Sequence, residues 1–275
     1  MEGVYGRAVD VSSLGYQTDL ALLRLGGSEI ADRGDHLVVR TPHNPTFWWG
    51  NFLLLAAPPP VEDTSRWLDT FAQAFPDAAH VALGFDGVAG SVADLTGFAT
   101  EGMQVEGATV MTAQSVHVPL HSDSEATYRL LSTEDDWAQH VDLRVACHDG
   151  RGMDDYRAVA AAKATTMRAL VHAGHGGWFG AFQNGELLSS LGLFRIGTDL
   201  ARFQSVETHP DARGRGLAGT LVYVASTYGF TELRARTLVM VADPEYSAIR
   251  LYRSVGFTDA ETQLQAERPP ARTGG

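Results

Sequence analysis

Two stretches in the C-terminal half of the chain carry apolar residues at helical spacing. They recur on one face between Met153 and His172, and again from Leu217 to Tyr228. Apolar residues three and four positions apart are typical of amphipathic helices. The pattern predicts one helix that ends near His172, before the glycine-rich run 174–177, and a second helix that begins near Leu217.

Between these helices the pattern becomes that of β-strands. Asn184-Gly185 separates the apolar segments WFGAFQ and ELLSSLGLFRI. This dipeptide favours a two-residue hairpin turn, because both central residues of that turn need positive φ. A further turn leads into a third strand over residues 200–208. After the second helix come the strand TLVMVAD, a helix around residues 248–252 and a last strand. This order predicts an antiparallel meander followed by a parallel crossover, and therefore an α/β fold with a mixed (α+β) sheet.

The N-terminal half shows a weaker version of the same order. HLVVRTP and FWWGNFLLL have the pattern of strands, and the proline-rich loop AAPPPVED follows them. Next come a helix with Trp67 and Phe71 on one side, the strand HVALGFD, a short helix near 94–100 and the strand MQVEGATVM. This order of elements (helix, strand, short helix, strand) is the same as the order predicted for residues 217–264. We infer a faint internal duplication, in which GMQVEGATVM corresponds to GFTDAETQLQ.

These patterns predict a division into domains. A smaller mixed-sheet domain is expected at residues 1–120, a polar linker at 121–126, a second domain at 127–265 and a flexible tail at 266–275. The length of 275 residues is enough for two such domains, each with its own core.

Composition narrows the classes of partner. The 33 acidic residues exceed the 21 basic ones, giving a formal net charge of −12. Such a charge disfavours binding to nucleic acid and mildly favours cationic substrates such as amines. Cys147 is the only cysteine, so no internal disulfide can form. No segment has the pattern of a signal peptide or approaches the ~20 apolar residues of a membrane span. We therefore expect a cytoplasmic protein without membrane contact, and the sequence leaves monomer or homodimer open.

The segment VETHPDARGRGLAGTLVYVA, residues 206–225, carries the candidate chemistry. A strand ends near its start, and a glycine-bearing turn then opens the helix that begins near Leu217. Backbone N–H groups at a helix N-terminus lie at the positive end of the helix dipole, where they bind anions such as a diphosphate. Gly214 and Gly216 allow close approach of the backbone, and Arg213 and Arg215 add positive charge.

Two other phosphate-binding motifs fit this segment less well. A Walker loop needs a terminal Gly-Lys-Ser/Thr, which is absent here. The letters GRGLAG match the spacing of a dinucleotide fingerprint through Gly214, Gly216 and Gly219. That fingerprint belongs to a parallel βαβ unit, whereas this segment follows an antiparallel meander. A nicotinamide-dependent oxidoreductase is therefore a remote alternative.

The segment resembles the pyrophosphate-binding motif of the GNAT (Gcn5-related N-acetyltransferase) family, Arg/Gln-x-x-Gly-x-Gly/Ala. Arg213, Gly216 and Ala218 occupy its fixed positions. Downstream, AIRLYRSVGF (residues 248–257) is similar to the family's second signature. The resemblance covers roughly the last hundred residues and implies a GNAT fold in the C-terminal half, with two central strands that splay apart around the pantetheine arm of acetyl-CoA.

The resemblance also implies roles for individual residues. Tyr252 matches the tyrosine that protonates the departing thiolate, and Glu207 lies where some members carry a general base. The residues expected to contact coenzyme A form the end of the strand and the loop after it: Val206, Thr208, Arg213, Gly214, Arg215, Gly216, Leu217 and Ala218. Glu245 stands where many members have Asn, which puts one contact with the cofactor in doubt. No metal is implied.

The function that follows is transfer of an acyl group, expected to be acetyl, from acetyl-CoA to a primary amine on a small molecule or a peptide. The amine would attack directly in a ternary complex. The N-terminal half lacks the loop motif, since AAPPPVED stands in its place, so we expect a degenerate GNAT copy that does not bind coenzyme A. A non-catalytic acyl-CoA binder or sensor on the same fold is the alternative. Cys147 and His148 are adjacent and would point apart, so a nucleophile pair is not expected.

Overall fold

The computed structural model describes residues 9–148, 156–246 and 248–270. The helices are α1 (Leu14–Leu25), α2 (Thr64–Ala74), α3 (Thr96–Thr100), α4 (Glu134–Cys147), α5 (Tyr156–His172), α6 (Leu217–Thr231) and α7 (Ala248–Val255). The strands are β1 (Glu29–Asp32), β2 (His36–Arg40), β3 (Phe52–Leu55), β4 (Val81–Phe85), β5 (Gln104–Ala113), β6 (Thr127–Leu130), β7 (Gly176–Gln183), β8 (Glu186–Ile196), β9 (Leu200–Thr208), β10 (Thr237–Ala242) and β11 (Thr258–Arg268).

The chain forms two compact units, Met1–Val110 with Ala260–Gly275, and Met111–Asp259. Within the described ranges, no helix is both long and apolar enough to cross a membrane. The same ranges hold no group of three or more His, Cys, Asp and Glu side chains that could bind a metal ion.

The N-terminal unit is a mixed sheet in the order β1-β2-β3-β4-β11-β5. Strands β1, β2 and β3 pair antiparallel, and β3 and β4 pair parallel on either side of helix α2 along the chain. Trp67 and Phe71 of α2 are buried in one core with Leu53, Leu83 and Phe85 of the parallel pair. The apolar face of α2 is therefore the one that the sequence indicated.

The last strand of the chain belongs to this N-terminal sheet. In β11, Leu264 pairs with Phe85 and Arg268 with Val81, both on β4. Ala266 is fully buried, so the flexible tail expected from residue 266 is wrong at its start. A strand that pairs with a neighbour on each side, as β11 does with β4 and β5, is held in place, and no local signal distinguishes such a strand from a polar tail.

The C-terminal unit contains the predicted meander. Its strands follow the order β10-β9-β8-β7-β6, with β6 to β9 antiparallel and β9 and β10 parallel. The turn between β7 and β8 has Asn184 at φ 52° and Gly185 at φ 85°, which confirms the hairpin prediction. Helix α6 follows β9 and buries Leu217, Leu221 and Ala225 in the core of this unit.

The two units repeat one topology. In each, an antiparallel strand pair is followed by a helix and a parallel strand: β2-β3-α2-β4 in the first and β8-β9-α6-β10 in the second. A short helix and a long strand then follow in both, as α3-β5 and α7-β11. The mixed α/β fold and the internal duplication inferred from element order are thus confirmed at the level of topology.

One strand prediction in the N-terminal half was too long. In the segment FWWGNFLLL only Phe52–Leu55 is a strand, and Trp48–Gly50 form a 3-10 turn. The Asn51 side chain holds this turn, since it accepts from the Thr41 N–H and donates to the carbonyl of Phe47. Aromatic residues favour strands, but here a buried asparagine stabilises the turn instead.

Two helices were not predicted. Helix α1 begins after Ser13, whose hydroxyl accepts from the Tyr16 N–H. Helix α4 begins after Thr133, which forms a reciprocal capping box with Asp136. Residues 153–155, expected at the start of the helix that ends at His172, lie outside the described residues.

Candidate active site

The parallel strands β9 and β10 separate after a short pairing. They pair only where residues 200–202 face residues 237–239. Strand β9 then continues to Thr208 and β10 to Ala242 without facing each other. The splayed pair that the GNAT resemblance implied is therefore present. Residues 203–208 of β9 have one edge that does not pair with β10.

A β-bulge bends β9 within this separated part. Ser190 of β8 faces Glu207, and Gly192 faces Gln204, so β9 holds one more residue than β8 between these pairs. Ser205 lies within the bulge at φ 48°, a left-handed conformation that is uncommon for a residue other than glycine. A bulge redirects the side chains that follow it. It therefore determines which way Val206 to Thr208 face.

The loop after β9 leads directly into a helix N-terminus. A 3-10 turn at Pro210–Ala212 is followed by Gly214 at φ 78° and Gly216 at φ 82°. Gly216 is the N-cap of α6 and has no side chain to accept from the first turn. The first backbone N–H groups of α6 therefore remain available to an anion at the positive end of the helix dipole.

Another part of the same unit crosses this loop. A Cβ built on Gly216 would lie 2.5 Å from the carbonyl oxygen of His121 and 3.3 Å from the backbone nitrogen of Ser122. We call residues 119–122 the crossing segment. Gly216 is thus needed for its positive φ and for the close approach of this segment. At Gly214 a Cβ would meet no atom within 4 Å.

The two arginines of the loop have different partners. Arg215 donates from Nη2 to Asp123 Oδ2 at 2.6 Å and to Gln183 Oε1 at 2.6 Å, so its guanidinium is engaged within the protein. Arg213 is exposed and donates from Nε to the carbonyl oxygen of Thr208 at 3.3 Å. Among the described residues, Arg215 thus forms an ion pair with Asp123 and Arg213 forms none, whereas the sequence assigned the same role to both.

A cavity of about 610 Å³ is lined by the end of β9, by the loop and the start of α6, and by residues of α7. Its wall contains all ten residues that the sequence nominated as site residues. It also contains residues that the sequence did not nominate: Pro119, Leu120, His121, Cys147, Ala212, Gly219, Tyr246, Ala248, Leu251 and Ser254. The structure thus brings together the strand end, the loop and the helix carrying Tyr252.

Residues 137–257 match the acetyltransferase (GNAT) family. This part of the chain belongs to the GNAT family. The match contains the meander, the loop and the helix α7, which are the elements that surround the cavity.

Solved structures share the fold of this chain over most of its length. A functionally unknown conserved protein from Staphylococcus epidermidis has a TM-score of 0.67 at 12% identity, covering 88% of this chain and 93% of its own. A GCN5-related N-acetyltransferase from Kribbella flavida has a TM-score of 0.64 at 13% identity, covering 95% and 98%. A tandem GNAT protein from the clavulanic acid biosynthesis pathway has a TM-score of 0.56 at 11% identity, covering 92% of this chain and 89% of its own. At these identities the likeness concerns the fold alone. No curated protein matches the chain.

Tyr252 of the GNAT half lies on α7 and is buried, with 6% of its surface exposed. Burial, and to a smaller extent the nearby Tyr246, raises the pKa of Tyr252 to about 12. The hydroxyl group is therefore protonated at neutral pH. In that state it can donate a proton but cannot act as a base.

Glu207 also lines the cavity, from the bulged end of β9. Its side chain is 19% exposed, and its Oε1 lies 3.4 Å from Nη1 of Arg144. Burial raises the pKa of Glu207, while the charges of Arg144 and Lys163 oppose this rise. A carboxyl group with a raised pKa is a better proton acceptor near neutral pH than an exposed one.

Thr208 contributes to the site differently from the expectation. Its carbonyl oxygen accepts from the Cys147 thiol at 3.3 Å as well as from Arg213. Cys147 thus lies in the cavity wall, where burial and the nearby Glu207 raise the pKa of the thiol. A raised pKa keeps the thiol protonated, which agrees with the absence of a nucleophile role in the sequence analysis.

Besides the other lining residues, the sequence analysis missed Arg144, which contacts Glu207, and the crossing segment. The capping-box residues Thr133 and Asp136 mark the start of α4 and were a usable local signal. From there, the spacing of His140, Arg144 and Cys147 would have placed them on one helical face. Nothing local indicates the position of residues 119–122.

Proposed function

We propose that the protein transfers an acetyl group from acetyl-CoA to a primary amine by direct attack. One arrangement supports this proposal above the others: a single cavity joins an open strand edge, an uncapped helix N-terminus, a protonated buried tyrosine and a carboxylate. A thioester aminolysis needs an anion site for the carrier, a base for the amine and an acid for the departing sulfur.

The residues around the loop fit the diphosphate of coenzyme A. The backbone N–H groups from Gly214 to Ala218 would bind it, aided by Arg213, and Gly214 leaves open space beside them. The edge of β9 that β10 does not pair with would hold the amide groups of the pantetheine arm at Val206 and Thr208, where the Thr208 carbonyl oxygen already accepts from Cys147 and Arg213. When bound, acetyl-CoA supplies the thioester whose acyl group is transferred.

The protein's own residues would move two protons. Glu207, directly or through a water molecule, would accept a proton from the amine nitrogen as it bonds to the carbonyl carbon. Tyr252 would give its hydroxyl proton to the sulfur as the carbon–sulfur bond breaks. Because the two side chains lie on different elements of the same cavity wall, each can serve one end of the reacting group.

The N-terminal unit would not bind coenzyme A. The place of the phosphate loop between β3 and α2 is filled by residues 56–63, which include Pro58, Pro59 and Pro60. Proline has no N–H to offer a phosphate. Glu62 and Asp63 add negative charge in the first turn there. We propose that this unit has a structural role and that the reaction takes place in the cytoplasm.

The ion pair of Glu207 with Arg144 favours a second candidate function, an acyl-CoA binder without catalysis, because a paired carboxylate is a weaker base. The two functions differ in one measurement. An enzyme releases free thiol from acetyl-CoA when an amine acceptor is added, whereas a binder does not.

The experiment is a calorimetric titration with acetyl-CoA, with NAD as control, followed by a thiol-release screen against amines. We expect one acetyl-CoA site per chain and no binding of NAD. Tyr252→Phe should slow thiol release by about 10²-fold or more, the usual contribution of a general acid. The matched control is Tyr223→Phe on α6, which does not line the cavity. Full activity of Tyr252→Phe would remove this residue from the acid role, and no binding by the folded protein would refute the transferase proposal.

A further inference from the structure

One face of α4 makes three polar contacts with residues of β8 and β9. Nδ1 of His140 lies 3.0 Å from Oγ of Ser190, and the Cys147 thiol donates to the carbonyl oxygen of Thr208 at 3.3 Å. Arg144 lies between these two, one helical turn from each. The contacts of His140 and Cys147, on either side of Arg144 along the helix, therefore fix the position of the guanidinium group along β9.

At that position Arg144 contacts Glu207. Its Nη1 lies 3.4 Å from Oε1 of Glu207, and only 11% of the arginine side chain is exposed. Nη2 donates to the Tyr156 hydroxyl at 3.4 Å. Among the described residues, neither Nε nor Nη1 of Arg144 has a hydrogen-bond partner. A buried guanidinium with so few hydrogen bonds depends on its ion pair for compensation, so the two side chains hold each other.

The charged groups around Glu207 come from two helices. Arg144 on α4 and Lys163 on α5 both favour the ionised carboxylate. Cys147 on α4 carries a protonated thiol, and the pKa of His140 is lowered to about 3 by burial and by the same two cations, so it is neutral. Arg144 is the cation in direct contact and has the larger influence of the two.

We propose that Arg144 is a positioning residue for the reaction, which holds Glu207 as a carboxylate at the wall of the cavity. The inference rests on the proposed function, in which Glu207 accepts the proton of the amine. Burial alone would leave this carboxyl protonated over a wider pH range and unable to act. The contact with Arg144 offsets that effect and leaves Oε2, which has no hydrogen-bond partner among the described residues, to accept the proton.

The first test measures the ionisation of Glu207 without using activity. The chain is labelled with ¹³C at the glutamate carboxyl groups, and the Glu207 signal is assigned by its loss in Glu207→Gln. Arg144→Gln removes the charge, and Arg144→Lys keeps it. We expect Arg144→Gln to raise the pKa of Glu207 by about 1–3, the usual effect of losing a cation in contact, and Arg144→Lys to restore most of the difference. An unchanged pKa in Arg144→Gln would overturn the inference.

The second test measures thiol release against pH. In Arg144→Gln the acid limb of the profile should move to higher pH by the same amount as the pKa, lowering the rate about tenfold for each pH unit below it. Arg157→Gln is the matched control, because Arg157 forms an exposed ion pair with Asp142 at 2.7 Å and should change neither measurement.

The two tests separate the inference from the proposed function. A shifted pKa with an unshifted acid limb would show that Glu207 is not the base, which refutes that part of the proposed function. No thiol release by the wild-type protein with any amine would refute the whole of it. In both cases the NMR titration still decides whether Arg144 controls Glu207. If Arg144→Gln is less active but the pKa of Glu207 and the acid limb of the pH profile are unchanged, Arg144 has a merely structural role.

Discussion

Gly216 and Gly214 form a matched pair for testing the loop at the start of α6. Both have positive φ, 82° and 78°, so alanine at either position must adopt the left-handed conformation. This costs about 1–2 kcal/mol for a residue other than glycine. At Gly214 the added methyl group would meet no atom within 4 Å, so no further cost is expected.

At Gly216 the methyl group would also collide with the backbone of the crossing segment. The built Cβ is 2.5 Å from the carbonyl oxygen of His121 and 2.9 Å from its carbonyl carbon. Backbone atoms cannot rotate away as a side chain can, so the segment must move. Overpacking of this kind typically costs about 1–3 kcal/mol. Gly216→Ala should therefore lose about 2–5 kcal/mol in total, and Gly214→Ala about 1–2 kcal/mol.

The assay is urea denaturation of both variants and the wild-type protein without ligand, under identical conditions. The quantity compared is the difference in the free energy of unfolding between the two variants, from which the shared conformational cost cancels. We expect Gly216→Ala to be the less stable by about 1–3 kcal/mol. Equal losses in the two variants would refute the close approach of residues 119–122 to the loop.

Two further predictions concern charge. Arg213→Gln should weaken acetyl-CoA binding by about tenfold, as expected for the loss of one charged hydrogen bond. Arg215→Gln should weaken it less, because the Arg215 guanidinium already pairs with Asp123. Calorimetric titration that finds the reverse order would contradict this. The pKa of His140 is lowered to about 3, below its usual 6.5, so the unfolded chain binds the proton first. Stability should therefore fall as the pH drops from about 6.5 toward 3, by about 1.4 kcal/mol per pH unit relative to His140→Gln, in urea unfolding at several pH values. Parallel profiles for the two proteins would show that His140 is not the cause.

Local signals determined most of the secondary structure of the C-terminal unit. The hairpin turn at Asn184-Gly185, the strand at residues 200–208 and the helix that begins at Leu217 follow from residues within a few positions of one another. Turn chemistry and apolar periodicity are properties of short segments, so a single sequence carries them. The same holds for the loop motif, because a strand end, two glycines and a helix start lie within a dozen residues.

Only the tertiary structure decided which residues meet at the cavity. Arg144 and Glu207 are 63 positions apart, and Arg215 and Asp123 are 92 positions apart. The pairing of β11 with β4 likewise joins residues far apart in the chain, which is why the domain division predicted from the order of elements assigned most of that strand to the second domain. Such long-range contacts leave no periodic pattern and no compositional bias in the local sequence.

The sequence by itself therefore determined the elements and the chemistry each could carry, namely an anion-binding loop, a tyrosine and a carboxylate. The tertiary structure decided the state of these groups. It added a bulge that turns Glu207 into the wall, an arginine that contacts it, a segment that fills the space beside Gly216 and an aspartate that takes up Arg215. Charge state and accessibility depend on what surrounds a side chain, and folding brings those surroundings from distant parts of the chain.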